Sequence, residues 1–192
     1  MVHGTGTDTR AAAIALALEL TETVGFTGFS YRDLAERMGI AAASLHYHFP
    51  SKCDLGLALI EHLAAQGTTM FAELERTPDV AVRLRARIDQ IRCHRSTDGR
   101  MCAFGSLLSD YGQMEAPMQA RLRDCESWLV ATYARWLDEG RRAGQLSFPG
   151  TPLAMAGLMA CVFHGILMHR RAQRDLDVDA VLDQFLRLIN AF

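Results

Sequence analysis

Apolar residues along this chain recur mainly at spacings of three and four, and no convincing stretch alternates apolar with polar. That periodicity predicts helices and argues against strands. The opening "MVHGTGTDTR" reads as a disordered arm, with Asp8 available to cap a helix that carries Ile14, Leu18 and Thr21 on one side. "VGFTGF" ends that helix at Gly25 and Gly28. Ser30 starts a short helix over Tyr31 to Met38, with Asp33 in the capping-box position. Gly39 interrupts, and a second short helix runs from about Ala41 to His48. Pro50 and Ser51 stop it, and Ser51 with Asp54 forms another capping box. Leu55, Leu59, His62 and Leu63 mark the helix that follows.

Further along, Thr77 reads as a cap with Pro78 at the first helical position, before Ala81, Leu84, Ile88 and Ile91. The polar loop "RSTDGR" precedes a shorter helix over roughly Met101 to Tyr111. Met118, Leu122, Cys125, Leu129 and Trp136 stripe a long helix that closes at Gly144. Thr151 and Pro152 repeat the start signal for an apolar helix. Asp177 caps the last one, with Val181, Phe185, Leu188 and Ile189 inward. The expectation is an all-α chain of about nine helices, without internal repeats. The apolar run Leu153 to Met168 contains Gly157, His164 and Gly165 and is shorter than a bilayer span, so it reads as a buried helix.

Residues 31 to 49 have the grammar of a helix-turn-helix. Leu34 and Met38 face a core, Ala35 lets a second helix cross closely, and Gly39 supplies a left-handed turn residue. Ile40 and Leu45 pack back, and Phe49 closes the far end. An ordinary αα-corner satisfies the same pattern, so the chemistry of the neighbouring side chains matters. Ala42, Ala43 and Ser44 are small or polar, as the leading face of a helix in the major groove requires. His46, Tyr47 and His48 can reach flanking phosphates. Lys52, the sole lysine of the sequence, lies in the first turn of the next helix, where free N–H groups already attract an anion. Thr27, Ser30 and Arg32 are placed to contact the backbone across the groove.

Composition narrows the picture. The chain has 192 residues and a formal net charge of −2, so no global positive field draws nucleic acid and any anion-binding surface is local. Residues 1–52 set four cations (Arg10, Arg32, Arg37, Lys52) against five acids (Asp8, Glu19, Glu22, Asp33, Glu36). Five cysteines without a CxxC pair suggest a reducing compartment rather than a disulfide framework. No secretion signal is visible at the start. There is no GxSxG, no Walker loop and no HExxH, which disfavours an enzyme. Cys93, His94 and Cys102 match no standard metal spacing, and neither a metal nor a cofactor is expected.

Residues 10–62 resemble the N-terminal domain of the TetR family of transcriptional regulators. The resemblance lies in "GFTGFSYRDLAERMGIAAASLHYHFPSKCDLGLALIE", with its Tyr/His-rich, Phe-terminated "LHYHF" and the pair "SK". A weaker likeness links "DGRMCAFGSLLSDYG" to a GC-x-x-G-N/S-L element of a branch that responds to electrophiles and acrylate. The resemblance implies a cytoplasmic homodimeric repressor. Two N-terminal modules would read the half-sites of a palindromic double-stranded operator, and a small molecule or cysteine modification would release them. A metal- or redox-responsive regulator is the alternative. His46 stands where the family usually has tyrosine, which weakens that phosphate contact or makes it pH-sensitive.

On this reading residues 1–52 form the DNA-binding domain and 53–192 the ligand-binding and dimerisation domain, linked by the helix over 51–72. Candidate pocket residues are Cys102, Phe104, Met114, Trp128, Tyr133, Met155, Met159, Phe163 and His164, because methionines and aromatics suit an adaptable apolar cavity. Each is also a candidate for plain core. Arg100 and a helix start near Cys102 favour a thiolate there, while a small buried hydrophobe is the simpler role. The last two helices are apolar enough to build a four-helix dimer bundle through Ala154, Gly157, Leu158, Val162, Val181, Phe185 and Leu188.

Overall fold

A computed structural model of the chain describes residues 6–93, 101–172 and 176–190. Among these residues there are nine α-helices and no strand: α1 Gly6–Val24, α2 Tyr31–Met38, α3 Ala42–His48, α4 Lys52–Glu75, α5 Val80–Cys93, α6 Ala103–Ser109, α7 Ala116–Arg142, α8 Pro152–Ala172 and α9 Val178–Leu188. A 3₁₀ turn, Tyr111–Gln113, joins α6 to α7. The chain forms two compact units, residues 1–65 with 100–123 and residues 66–99 with 124–192. This division differs from the expected boundary at residue 52. The first unit keeps the first half of α4 and takes in the distant segment around α6.

The first unit is built on apolar faces of short helices. Ala13, Ala17 and Leu20 of α1, Leu34 of α2, Leu45 of α3 and Leu55 and Leu59 of α4 are all buried. Phe26 and Phe29, from the α1–α2 turn, meet edge to face at 5.8 Å. The helix is already formed at Gly6, inside the stretch expected to be a disordered arm. Arg10 lies over the Phe49 ring at 5.2 Å instead of reaching outward.

The second unit has an aromatic centre. Phe71 of α4 lies 5.5 Å from Tyr133 and 5.2 Å from Trp136, and Phe163 of α8 lies 6.0 Å from Tyr133 and 6.2 Å from Phe185. Two arginines are threaded into this core. Arg83 is buried, and its guanidinium donates to the Thr77 carbonyl and to Glu139 at 3.0 Å. Burial of a cation is tolerable only with such partners. Arg87 donates to the Tyr133 hydroxyl at 3.0 Å and lies over the Phe71 and Phe163 rings. The α5 start corrects the sequence expectation. Asp79, not Thr77, is the cap, accepting from the Val82 N–H at 3.0 Å, and the helix begins two residues after Pro78.

Two local devices set the helix-turn-helix. The Ser30–Asp33 capping box is formed, with the Ser30 N–H donating to Asp33 at 2.7 Å. The Ser30 hydroxyl and N–H hold the Asp33 carboxyl below its ordinary value, Arg32 and Arg37 helping. Stability from this box is complete above the unfolded carboxylate range and is lost as pH falls through the lowered value. Gly39 sits at φ 66°, in the left-handed region, and its N–H closes the end of α2. A Cβ there would meet no other atom, so only backbone conformation resists it.

Gly39→Ala should therefore cost about 1 kcal/mol in chemical denaturation, with Gly39→Asn milder; unchanged stability would contradict the strain argument. In Ser30→Ala, carboxyl NMR titration should show Asp33 moving up toward its ordinary value.

Candidate nucleic-acid interface

The seven residues of α3 divide cleanly. Leu45 is buried, as is Phe49 just beyond, and Ala42, Ala43, Ser44, His46 and Tyr47 are exposed. Tyr47 is 84% exposed, more than any other large apolar or aromatic side chain among the described residues. An exposed tyrosine beside small residues on a helix surface is a polar-tipped contact waiting for a partner, not a core element. His48 is half-buried, its ring 5.1 Å from that of Tyr47.

Beside α3 lies an open cavity of about 600 Å³, whose wall includes Phe29, Ser30, Tyr31, His46 and Lys52. Tyr31 organises one side. Its hydroxyl donates toward the Phe49 and Ser51 carbonyls, at 2.9 and 2.5 Å, and its ring centre lies 4.7 Å from that of His46, the planes tilted by 57°. Burial first, and the Asp54 charge second, push the Tyr31 phenol up to about 12. His46 Nδ1 is 3.2 Å from the Pro50 carbonyl. These contacts bind the end of α3 to the start of α4, where Ser51 and Asp54 form the expected capping box.

Lys52 is half-buried. Its ammonium donates to the Phe29 carbonyl and lies 5.0 and 4.8 Å from the Phe26 and Phe29 ring centres. Burial pushes its pKa down, while Asp110 and Asp33 oppose that shift. An ammonium has three donors, so the carbonyl takes one and leaves the others for an anion at the cavity. Arg32 is exposed at the start of α2; Ser30 is exposed too, but its N–H and hydroxyl both donate to Asp33, at 2.7 Å each, so the capping box engages both its donors. Thr27 is not available. Its N–H and hydroxyl both donate to Asp110, at 3.0 and 3.2 Å, which corrects its expected role as a phosphate donor. Sequence reasoning missed Tyr31 and Asp110, since neither interaction is local.

The expected pocket residues fall into both units. Cys102, Phe104 and Met114 belong to the first, where Cys102 is the N-cap residue of α6 without a side-chain capping bond and Met114 is buried. In the second, Tyr133, Met155, Met159 and Phe163 are core, whereas Trp128 is 42% exposed. His164 is half-buried, with Nε2 3.5 Å from Glu126 Oε1, and that buried oxygen has no hydrogen-bond partner. Burial raises the Glu126 carboxyl, with His164 opposing. Among the expected dimer residues, Ala154, Leu158 and Leu188 are exposed and Gly157, Val162 and Val181 are half-buried. Phe185 is buried against Phe163 inside its own protomer, a correction to its expected interface role. Among the described residues no group of three His, Cys, Asp or Glu side chains could hold a metal ion. His94 and Arg100 lie outside the described residues.

Known proteins share this arrangement. Residues 13–59 match the model of the tetR family of bacterial regulatory proteins. The HTH-type transcriptional repressor NemR of Escherichia coli is 23% identical over 176 residues, covering 88% of this chain and 87% of that protein. The class C tetracycline repressor protein of Escherichia coli is 46% identical over 52 residues, 27% of this chain and 24% of that one. The crystal structure of a TetR-family transcriptional regulator from Agrobacterium tumefaciens superposes with a TM-score of 0.85 and 26% identity, covering 97% of this chain and 96% of that one. Regulators of this kind are soluble DNA-binding proteins and not enzymes. With its exposed α3, its capped α2 and this matching frame over residues 13–59, the chain is similar to regulators of the TetR family and is a DNA-binding transcriptional regulator.

Proposed function

We propose that the protein is a cytoplasmic repressor that binds a palindromic operator as a homodimer and leaves it when unit two binds a small-molecule effector. The observation that carries the reading is the outward face of α3, Ala42 to Ser44 with Tyr47, next to the Lys52 cavity. Small side chains allow the helix backbone to approach base edges, and the larger groups at its C-terminal end reach the phosphates. With few long side chains on α3, groove width and deformability contribute to sequence preference. The repressor assignment draws on NemR and the tetracycline repressor, both named for repression.

Dimerisation is supported by α8. Ala154, Leu158, Cys161 and Met168 are exposed at spacings that share one side of the helix, and Leu158 and Met168 are 43% and 49% exposed. Pro152–His169 is long and apolar enough to cross a membrane by length and composition, but 39% of it is buried inside the protein. An apolar helix half covered by its own core is completed by a second copy of itself. For the effector, the half-buried Glu126–His164 pair, with a buried Glu126 oxygen that has no hydrogen-bond partner, offers a polar contact.

Duplexes selected by the protein from a random pool should be palindromic. Lys52→Ala should weaken binding to them about tenfold and lower the salt slope by about one per subunit; reduced sequence discrimination with an unchanged slope would contradict the phosphate role. Leu158→Glu should give a folded monomer by light scattering, with operator affinity greatly reduced; a dimer of undiminished stability would remove α8 from the interface.

A further inference from the structure

The C-terminal end of α1 is held by a segment about eighty residues away in sequence. A helix ends with carbonyls that have no partner within the helix. Here the Met101 N–H donates to the Glu22 carbonyl at 3.0 Å, and the buried Ser106 hydroxyl donates to the Thr21 carbonyl at 2.6 Å. At the far end of α6, Asp110 accepts from the N–H and hydroxyl of Thr27 through one carboxylate oxygen, Oδ2. The fit is close. A Cβ on Gly25, which has φ 87°, would come within 3.1 Å of that same oxygen. Residues 101–110 therefore clasp residues 21–27, and every member of the clasp belongs to the first compact unit.

What the clasp holds is the turn that aims Lys52. Thr27 and Gly28 lead directly to Phe29, whose carbonyl receives the Lys52 ammonium and whose ring lies beneath it. Phe26, the other ring under that ammonium, follows Gly25. Asp110 does not line the cavity, so a DNA phosphate there would not meet its carboxylate directly. We propose that Asp110 is a positioning residue for DNA binding: by fixing the 25–29 turn through Thr27, it sets where the Lys52 ammonium stands at the phosphate-facing cavity. The proposal rests on the DNA-binding reading of Lys52 given above. It extends the DNA-reading machinery into the segment after α5 and gives a physical route by which a change near α6 alters grip on DNA.

The test is a double-mutant cycle of Asp110→Ala and Lys52→Ala in the full-length protein. Affinity is measured across a salt series on duplexes that the unmodified protein selects from a random pool, with the folded fraction set by circular dichroism. Asp110→Ala should weaken binding about tenfold and flatten the salt slope as Lys52→Ala does. Adding Lys52→Ala to it should then cost less than about twofold, because the two changes remove one interaction. Asp110→Asn, which keeps an oxygen acceptor for the Thr27 N–H, should stay within about threefold of the unmodified protein. A merely structural role would lower the melting temperature and leave the slope unchanged. Additive losses, an unchanged slope in Asp110→Ala, or an Asn variant as impaired as the Ala variant would each overturn the proposal while leaving Lys52 a phosphate contact. Indifference of DNA binding to Lys52→Ala alone would overturn the DNA-site reading, and the role of Asp110 with it.

Discussion

A seven-residue helix cannot sustain itself in water, because nucleation costs more than two turns return. α3 is such a helix, and it is held from outside. Leu45 and Phe49 are buried beneath it, and the Tyr31 hydroxyl closes its C-terminal end by bonding the Phe49 and Ser51 carbonyls. Everything functional in the first unit follows from that anchoring. With its support confined to one face, the other face is left to Ala42, Ala43, Ser44 and Tyr47, and presents itself as a rigid, low-relief surface for a groove. Had the anchoring used both faces, the same sequence would make an αα-corner with nothing to read.

The electrostatics are local for the same reason. The first fifty-two residues carry slightly more acid than base, so attraction at a distance is weak. Grip must come from a few well-placed donors. Lys52 is a single cation held by a carbonyl and two aromatic rings. A flexible lysine loses side-chain entropy on binding a phosphate; one already fixed has lost it on folding. On the proposed reading, pre-organisation more than charge count would give this surface its affinity, and the residues that fix the turn around Phe29 would matter as much as those that touch DNA.

Much of this was legible in the sequence because its code is local. Ser30 with Asp33, Ser51 with Asp54 and Asp177 are signals written within three residues, and each cap forms. Gly39 was readable because only a left-handed residue joins two helices that closely. The α5 start was misread because Thr77 and Asp79 are both good caps two residues apart, and the structure uses the second. Phe185 was misplaced because periodicity gives a broad apolar side of α9 without saying which residues point to the protomer's own core and which to a partner. The bond from Thr27 to Asp110 spans 83 residues and has no local signature. No spacing rule reveals that a threonine with the look of a phosphate contact has already spent both donors inside the fold.

On the proposed function, the exposed face of α3 is the surface that meets DNA. Amide hydrogen exchange, compared with and without a duplex selected by the protein, addresses it at the level of single segments. Added protection should concentrate over residues 41–52 and the start of α2 and diminish as salt is raised. Protection elsewhere in the chain, with residues 42–47 exchanging at the same rate in both samples, would contradict it.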